Sequence, residues 1–293
     1  MDTTLSGKTY VVTGATSGIG LAMMQQLAQR GAALIGIGRS VERCREAERG
    51  LRAAGADIHY VVADLTLQSE VRRAAGEVRT ILDRDGKTGL DGLVNNAGTF
   101  TYWLALTAEG FETQWALNHL APFLLTLELL PVLQAAPEAR VVTVSSASHY
   151  GARLKWDDIQ LRRSYNGLRA YEQTKLANVL FTAELNRRLG PQSPVRAFAA
   201  DPGLVKTDIG MKGTPAIVRW IWSARRSGGI SAAESARGIV HLLADPSLQH
   251  SGEVYWKHGV PKKPSRYSQD IEVAQRLWDL SETMCALQKG ITQ

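Results

Sequence analysis

Thr9-Tyr10-Val11-Val12-Thr13-Gly14-Ala15-Thr16-Ser17-Gly18-Ile19-Gly20 is the stretch whose reading decides the rest of the chain. Tyr10 to Val12 is a short aromatic and β-branched run suited to a buried strand, and Leu21 to Arg30 has helical periodicity. The glycines therefore stand at a strand-to-helix turn. There the backbone can approach a ligand closely, and the first N–H groups of the helix offer unpaired donors with a partial positive charge. Such a turn suits a pyrophosphate. A glycine-rich turn without a ligand uses the same residues, and the spacing of Gly14 and Gly18 departs from the Gly-x-Gly-x-x-Gly pattern. Other parts of the chain must decide.

Working outward, strand and helix signals alternate to the end. The spacing predicts strands at Thr9–Val12, Ala33–Ile37, Ile58–Val62, Gly92–Val94, Arg140–Val144, Val195–Ala199 and Gly252–Tyr255. Helices are predicted between them at Ile19–Gln29, Val41–Ala53, Ser69–Leu82, Glu109–Leu133, Ala170–Arg188 and Ser231–Leu243. Apolar, non-alternating strands in a β-α alternation imply a parallel sheet covered on both faces. With right-handed crossovers this is an α/β, Rossmann-type doubly wound sheet of about seven strands, binding ligands beyond the strands' carboxyl ends.

Composition agrees with one enzyme-sized domain over residues 1–293, since 44% hydrophobic content can fill a full core. No Pro-, Gly- or Ser-rich linker, repeat or low-complexity tract divides it, and no hydrophobic run is expected to cross a bilayer. Met1-Asp2-Thr3-Thr4 leads straight into the first strand without a signal peptide, so a soluble cytoplasmic protein is expected. Cys44 and Cys285 lie far apart in helical segments, and the six histidines show no ligand spacing, so no metal site is expected. His149 is a candidate for the substrate pocket. The net charge of +6 is spread in mixed company, as in Glu70-Val71-Arg72-Arg73; it reads as solvated faces and as help in capturing an anionic ligand, with no nucleic acid as partner.

Several ordered motifs give these features a common meaning. Asp64-Leu65, Asn95-Asn96-Ala97-Gly98, Asn118, Ser145-Ser146, Tyr171-x-x-x-Lys175 and Pro202-Gly203 follow the glycine turn in sequence. In this order the chain resembles the short-chain dehydrogenase/reductase family, from Ser6 to about Tyr255. The closer similarity is to the retinol-dehydrogenase-like and WW-domain-oxidoreductase-like branch, through Asn118-His119-Leu120-Ala121-Pro122-Phe123, Lys175-Leu176-Ala177-Asn178-Val179 and the tail from Ser268 to Leu287. The resemblance implies a nicotinamide dinucleotide held by Gly14, Ser17, Gly18, Ile19 and Gly20. It implies further that Asp64 and Leu65 meet the adenine, that Asn95, Ala97 and Gly98 wall the ribose, and that Pro202, Gly203, Val205 and Thr207 close over the nicotinamide.

The cofactor and the chemistry can also be argued from side chains. The second strand ends Ile37-Gly38-Arg39-Ser40, with a guanidinium where a carboxylate would repel a 2′-phosphate, so NADP(H) is expected over NAD(H). A phenol titrates near pH 10, so Tyr171 needs a neighbouring charge to act as an acid; Lys175, one helical turn along, can supply it and hold the ribose. Ser146 would hydrogen-bond the substrate carbonyl. Alternation along the strand separates the two serines without choosing between them, and the resemblance selects the second. The family tetrad implies that Asn118 supports a water beside Lys175.

Two segments set substrate expectations. Residues 150–168 lengthen the path from Ser146 to Tyr171, and Tyr150, Leu154, Trp156 and Tyr165 are candidates to wall the pocket. Residues 210–228, with Trp220 and Trp222 in an apolar run, resemble a family lid and suit a lipophilic ketone or aldehyde. A C-terminal helical tail is expected near 268–288. The leading function is an NADP(H)-dependent oxidoreductase interconverting a lipophilic carbonyl compound and its alcohol; the alternative is a catalytically silent NADP(H)-binding sensor or scaffold. Membrane contact is the weaker reading of the lid, and homodimer and monomer both stay open.

Overall fold

The computed structural model describes residues 4–203 and 230–287. Its elements run β1 (Thr9–Thr13), α1 (Gly18–Gln29), β2 (Ala33–Gly38), α2 (Val41–Ala53), β3 (Ile58–Val62), α3 (Gln68–Arg84), β4 (Gly92–Asn95), α4 (Thr113–Trp115), α5 (Ala121–Gln134) and β5 (Ala139–Val144). They continue with α6 (Gly167–Leu189), β6 (Val195–Asp201), α7 (Ala232–Ala244), β7 (Tyr255–Lys257), β8 (Val260–Pro261) and α8 (Ile271–Met284). The sheet order is β3-β2-β1-β4-β5-β6-β7-β8. β1 pairs in parallel with both β2 and β4, so the winding reverses between β1 and β4 and opens a crevice at their carboxyl ends. The expected doubly wound sheet is present, with eight strands instead of about seven. The added β8 is an antiparallel edge of two residues whose Pro261, lacking an N–H, is compatible only with such an edge.

Burial explains why the strands do not alternate. β1 and β5 are buried at every position, because apolar clusters cover both faces of the sheet. One face packs Leu124, Leu130, Leu176, Leu180 and Trp278 from α5, α6 and α8. The other packs Met23, Met24, Leu27, Ile239 and Val240 from α1 and α7.

The predicted helix Glu109–Leu133 needs correction. Glu112 caps α4, accepting from the N–H groups of Gln114 and Trp115, and Ala116–Leu120 then forms a π turn before α5 begins. Pro122 has no N–H to continue an α-helical ladder, which accounts for the slip in register. The expectation that no apolar run could cross a membrane also fails on length and composition, since the 22 residues Thr113–Gln134 qualify. Most of that stretch is buried inside the fold. In the expected C-terminal tail, α8 lays Trp278 edge-on against Phe123, with ring centroids 5.0 Å apart.

Candidate active site

The glycine turn is built around Thr13. Its hydroxyl donates to the Val94 carbonyl at 3.2 Å and accepts from the N–H groups of Asn96 and Ala97, both at 2.9 Å. Asn96 Nδ2 donates back to the Thr13 carbonyl at 2.9 Å. These bonds lock the ends of β1 and β4 together at the switch point. Gly14 and Gly18 have φ of +66° and +53°, and a Cβ on Gly20 would run into the Gly14 carbonyl, so the turn tolerates no side chains there. Ser17 makes no capping bond and the first turn of α1 holds no acid, which leaves its amide donors open to an anion. The Ile19 side chain, expected at the cofactor, is buried in the core, so only its backbone serves the turn.

From this turn a cleft of about 460 Å³ runs across the crevice. Gly14, Ser17, Arg39, Asp64, Leu65, Ala97 and Gly98 line it as the sequence suggests. Asn95 does not: it is buried, and its Nδ2 donates to Thr126 Oγ1 at 3.0 Å and Thr143 Oγ1 at 3.4 Å, which makes it a cross-link beneath the cleft. One end holds two guanidiniums, Arg39 and Arg43, on either side of Ser40, whose Oγ caps α2 by accepting from Arg43 N. Arg43 was missed in the sequence, although its place four residues after Arg39 was the available signal. Glu42 brings an opposing carboxylate to the same end. Asp64 Oδ1 accepts from the Thr66 hydroxyl at 2.8 Å, which orients that carboxylate.

The other end gathers the expected catalytic residues. A Cβ on Gly98 would lie 3.3 Å from Asn118 Oδ1 and 3.9 Å from Lys175 Nζ, so the cleft floor reaches this group. Ser145 Oγ donates to the Lys175 carbonyl at 2.7 Å, whereas Ser146 Oγ caps the short turn Ala147–His149 by accepting from Ser148 N at 3.2 Å. Ser145 is thus committed to a backbone partner. Lys175 Nζ lies 5.3 Å from the Tyr171 ring centroid and donates to the Val144 carbonyl at 3.1 Å, an acceptor it shares with Asn178 Nδ2.

The Asn118 side chain is held by its neighbours. Its Oδ1 accepts from Thr99 N at 2.7 Å, and its Nδ2 donates to the Thr99 carbonyl at 2.9 Å and to Thr174 Oγ1 at 3.2 Å. The side chain is thus spent on fixing the loop after Gly98. Because Pro122 lacks an N–H, the Asn118 carbonyl has no i+4 donor, and that oxygen is what the residue can offer a water.

Burial dominates the electrostatics. It pushes the Tyr171 phenol up to about 12, the Asp201 charge pushes the same way, and the Ser146 hydroxyl works against both. The expected lowering by Lys175 is not among the influences on this phenol. Burial brings the Lys175 ammonium down to about 8 while Asp201 works to keep it charged. Asp201, at the end of β6, accepts from Tyr255 OH at 2.9 Å and from Gly203 N at 2.8 Å. Sequence reading passed over it for the neighbouring Pro202 and Gly203.

Other expectations change. His149 is fully buried: Ser265 N donates to its Nε2 at 3.2 Å, which leaves Nδ1–H to donate to the Ser146 carbonyl at 2.8 Å. It supports the serine turn, and its ring is enclosed among the described residues. Leu154 is core, Trp156 packs against core beneath Arg276, and Tyr165 OH is held by Glu112 and Gln114. Of the four aromatic and apolar candidates in that segment, Tyr150 alone is exposed. Val205, Thr207 and the segment 210–228 lie outside the described residues.

With this geometry in place, comparison with known proteins is informative. The model of the short chain dehydrogenase family matches residues 8–217. The chain belongs to this family. This short-chain dehydrogenase is 34% identical over 297 residues to human Retinol dehydrogenase 13, covering 97% of the chain and 86% of that relative. It is 35% identical over 284 residues to mouse Polyprenol dehydrogenase, with 93% and 82% covered. A crystal structure of a protein from Mycobacterium paratuberculosis superposes with a TM-score of 0.71 at 33% identity, covering 98% of this chain and 97% of that one. The protein is an oxidoreductase of carbonyl and alcohol groups in the retinol-dehydrogenase-like branch.

Proposed function

We propose that this enzyme interconverts a lipophilic carbonyl compound and its alcohol with NADP(H), and that Tyr171 transfers the proton. The observation that carries the cofactor choice is the pair Arg39 and Arg43 flanking Ser40 at one end of the cleft. Two guanidiniums match a 2′-phosphate bidentately and outnumber the single Glu42 carboxylate. The open amide donors of α1 suit the pyrophosphate, and the side-chain-free cradle at Gly14 and Gly20 admits it. When bound, the reduced nicotinamide supplies the hydride.

The chain's own residues handle the oxygen. Ser146 hydrogen-bonds the substrate carbonyl and the developing negative charge. Tyr171, at about 12, keeps its proton throughout the physiological range and delivers it to that oxygen as the charge develops. Lys175 offsets the phenolate left behind, and a water on the Asn118 carbonyl can return the proton from solvent. The substrate class rests on the relatives named for retinol and polyprenol, both long apolar alcohols. A panel of lipophilic aldehydes and ketones, including a retinal and a polyprenal, is tested with NADPH and NADH by absorbance. Turnover with NADPH on apolar members is expected; turnover with NADH alone, or on small polar carbonyls only, contradicts the proposal.

A further inference from the structure

Away from the cofactor cleft, several arginines are paired with carboxylates. Arg52 pairs with Glu48 at 2.8 Å, Arg73 with Glu70 at 2.7 Å and Glu77 at 2.9 Å, and Arg187 and Arg188 converge on Glu184. One open hollow of about 730 Å³ differs. Arg153, Lys263 and Arg266 line it, Lys262 adjoins it, and among the described residues none of the four has an acidic partner. The one carboxylate there, Asp270, is committed to capping α8 through the N–H groups of Glu272 at 3.0 Å and Val273 at 3.2 Å.

Two of these cations are held in place. The Arg153 guanidinium lies 4.5 Å from the Tyr267 ring centroid, and Lys262 Nζ lies 5.9 Å from that of Tyr150. The backbone under them is pinned by Tyr150 OH donating to the Lys263 carbonyl at 2.8 Å and Ser268 Oγ donating to the Ser265 carbonyl at 2.8 Å. Pre-organised, unpaired cations around a concavity lower the entropic cost of holding an anion.

We infer that this hollow is a second ligand site, which binds an anionic phosphate or carboxylate group and is distinct from the cofactor cleft. It reaches the catalytic turn through backbone and imidazole: Ser265 N donates to His149 Nε2, and His149 Nδ1 donates to the Ser146 carbonyl. An anion held by Arg266 and Lys263 therefore bears on the position of Ser146. The anionic group belongs to a soluble ligand or to a lipid headgroup, which share this chemistry.

The test measures binding, so an inactive enzyme would defeat the proposed reaction and leave this inference standing. Inorganic pyrophosphate is titrated by calorimetry into the full chain, into Arg153→Ala/Lys263→Ala/Arg266→Ala, and into Arg39→Ala/Arg43→Ala, which removes the cofactor-cleft cations. A third variant, Arg45→Ala/Arg49→Ala/Arg237→Ala, removes three exposed charges elsewhere. Co-sedimentation with phosphatidylcholine vesicles, with and without phosphatidylglycerol, separates a headgroup from a soluble anion. The hollow variant is expected to lose at least about tenfold in affinity for whichever probe binds, while the third variant loses none. A pyrophosphate signal that survives in Arg39→Ala/Arg43→Ala and is lost in the hollow variant is assigned to the hollow, whereas one that survives in both belongs to the glycine turn and counts against the inference. Wild type binding neither probe, or the hollow variant binding as wild type does, would overturn the inference. Far-UV circular dichroism checks folding; should the triple variant unfold, Lys263→Gln alone carries the same comparison.

Discussion

The Ser145 hydroxyl donates to the Lys175 carbonyl at 2.7 Å, which commits that serine to a backbone partner, whereas the adjacent Ser146 caps the turn Ala147–His149. Ser146→Ala should lower kcat by about 10²–10³-fold with little change in melting temperature, because the lost donor faces the reacting oxygen. Ser145→Ala should instead cost about 1 kcal/mol of stability and keep most of the activity. Steady-state kinetics and thermal melts on both variants check the division; equal kinetic losses would dissolve it.

Cofactor preference should follow Arg39 and Arg43. Arg39→Asp removes a charge-assisted contact and adds repulsion, so NADPH should bind about 10–100-fold more weakly while NADH is nearly unaffected. Arg43→Ala should shift the ratio the same way by less. Fluorescence titration of both cofactors reads the ratio. An unchanged NADPH/NADH ratio in both variants would remove the two guanidiniums from the 2′-phosphate.

The pH dependence of reduction should have a basic limb set by Lys175. In the free enzyme the ammonium is held near 8 and the phenol near 12, so raising pH discharges Lys175 while Tyr171 still carries its proton. kcat/KM should therefore fall above about pH 8. Asp201 supports the charge on Lys175, so Asp201→Asn should move this limb to lower pH. A limb that stays put in Asp201→Asn would mean that another group sets it.

Lys175 also carries a stability prediction. Its pKa is depressed in the folded state, so the unfolded chain binds the extra proton, and stability rises with pH between about 8 and 10.5. Lys175→Met should abolish activity and raise stability at pH 7 by about 1 kcal/mol or more, a gain that shrinks toward pH 10. Asn178 Nδ2 still satisfies the Val144 carbonyl in that variant. Denaturant melts at pH 7 and pH 10 give the comparison; a variant less stable at pH 7 would show that the ammonium's contacts outweigh its burial.

Much of this could be read from the chain because local signals and tertiary fold agree. α2 begins and ends where periodicity places it, since Ser40 supplies a real cap, and β3 matches at both ends because its apolar run is bounded by polar turns. The glycines of the turn, Arg39 and the Tyr171 and Lys175 pair were legible from spacing on a strand end or a helix face. Long-range partners were not legible. Nothing near Asn95 or Asn96 tells which faces the cleft, and that depends on Thr126 and Thr13. The helix through Asn118 reads as continuous, although Pro122, four residues on, held the clue to its π turn. Asp201 gains its role only through the paths that bring β6 beneath Lys175 and β7 beside it.

The central claim, that Tyr171 is the proton donor in an NADPH-dependent reduction, is tested most directly by Tyr171→Phe. Single-turnover oxidation of NADPH by a lipophilic aldehyde is followed for wild type and variant, with the NADPH Kd measured on the same samples. The account predicts a loss of rate of at least about 10²–10⁴-fold with Kd nearly unchanged, since only the transferred proton has been removed. A variant that reduces the aldehyde at close to the wild-type rate would contradict it.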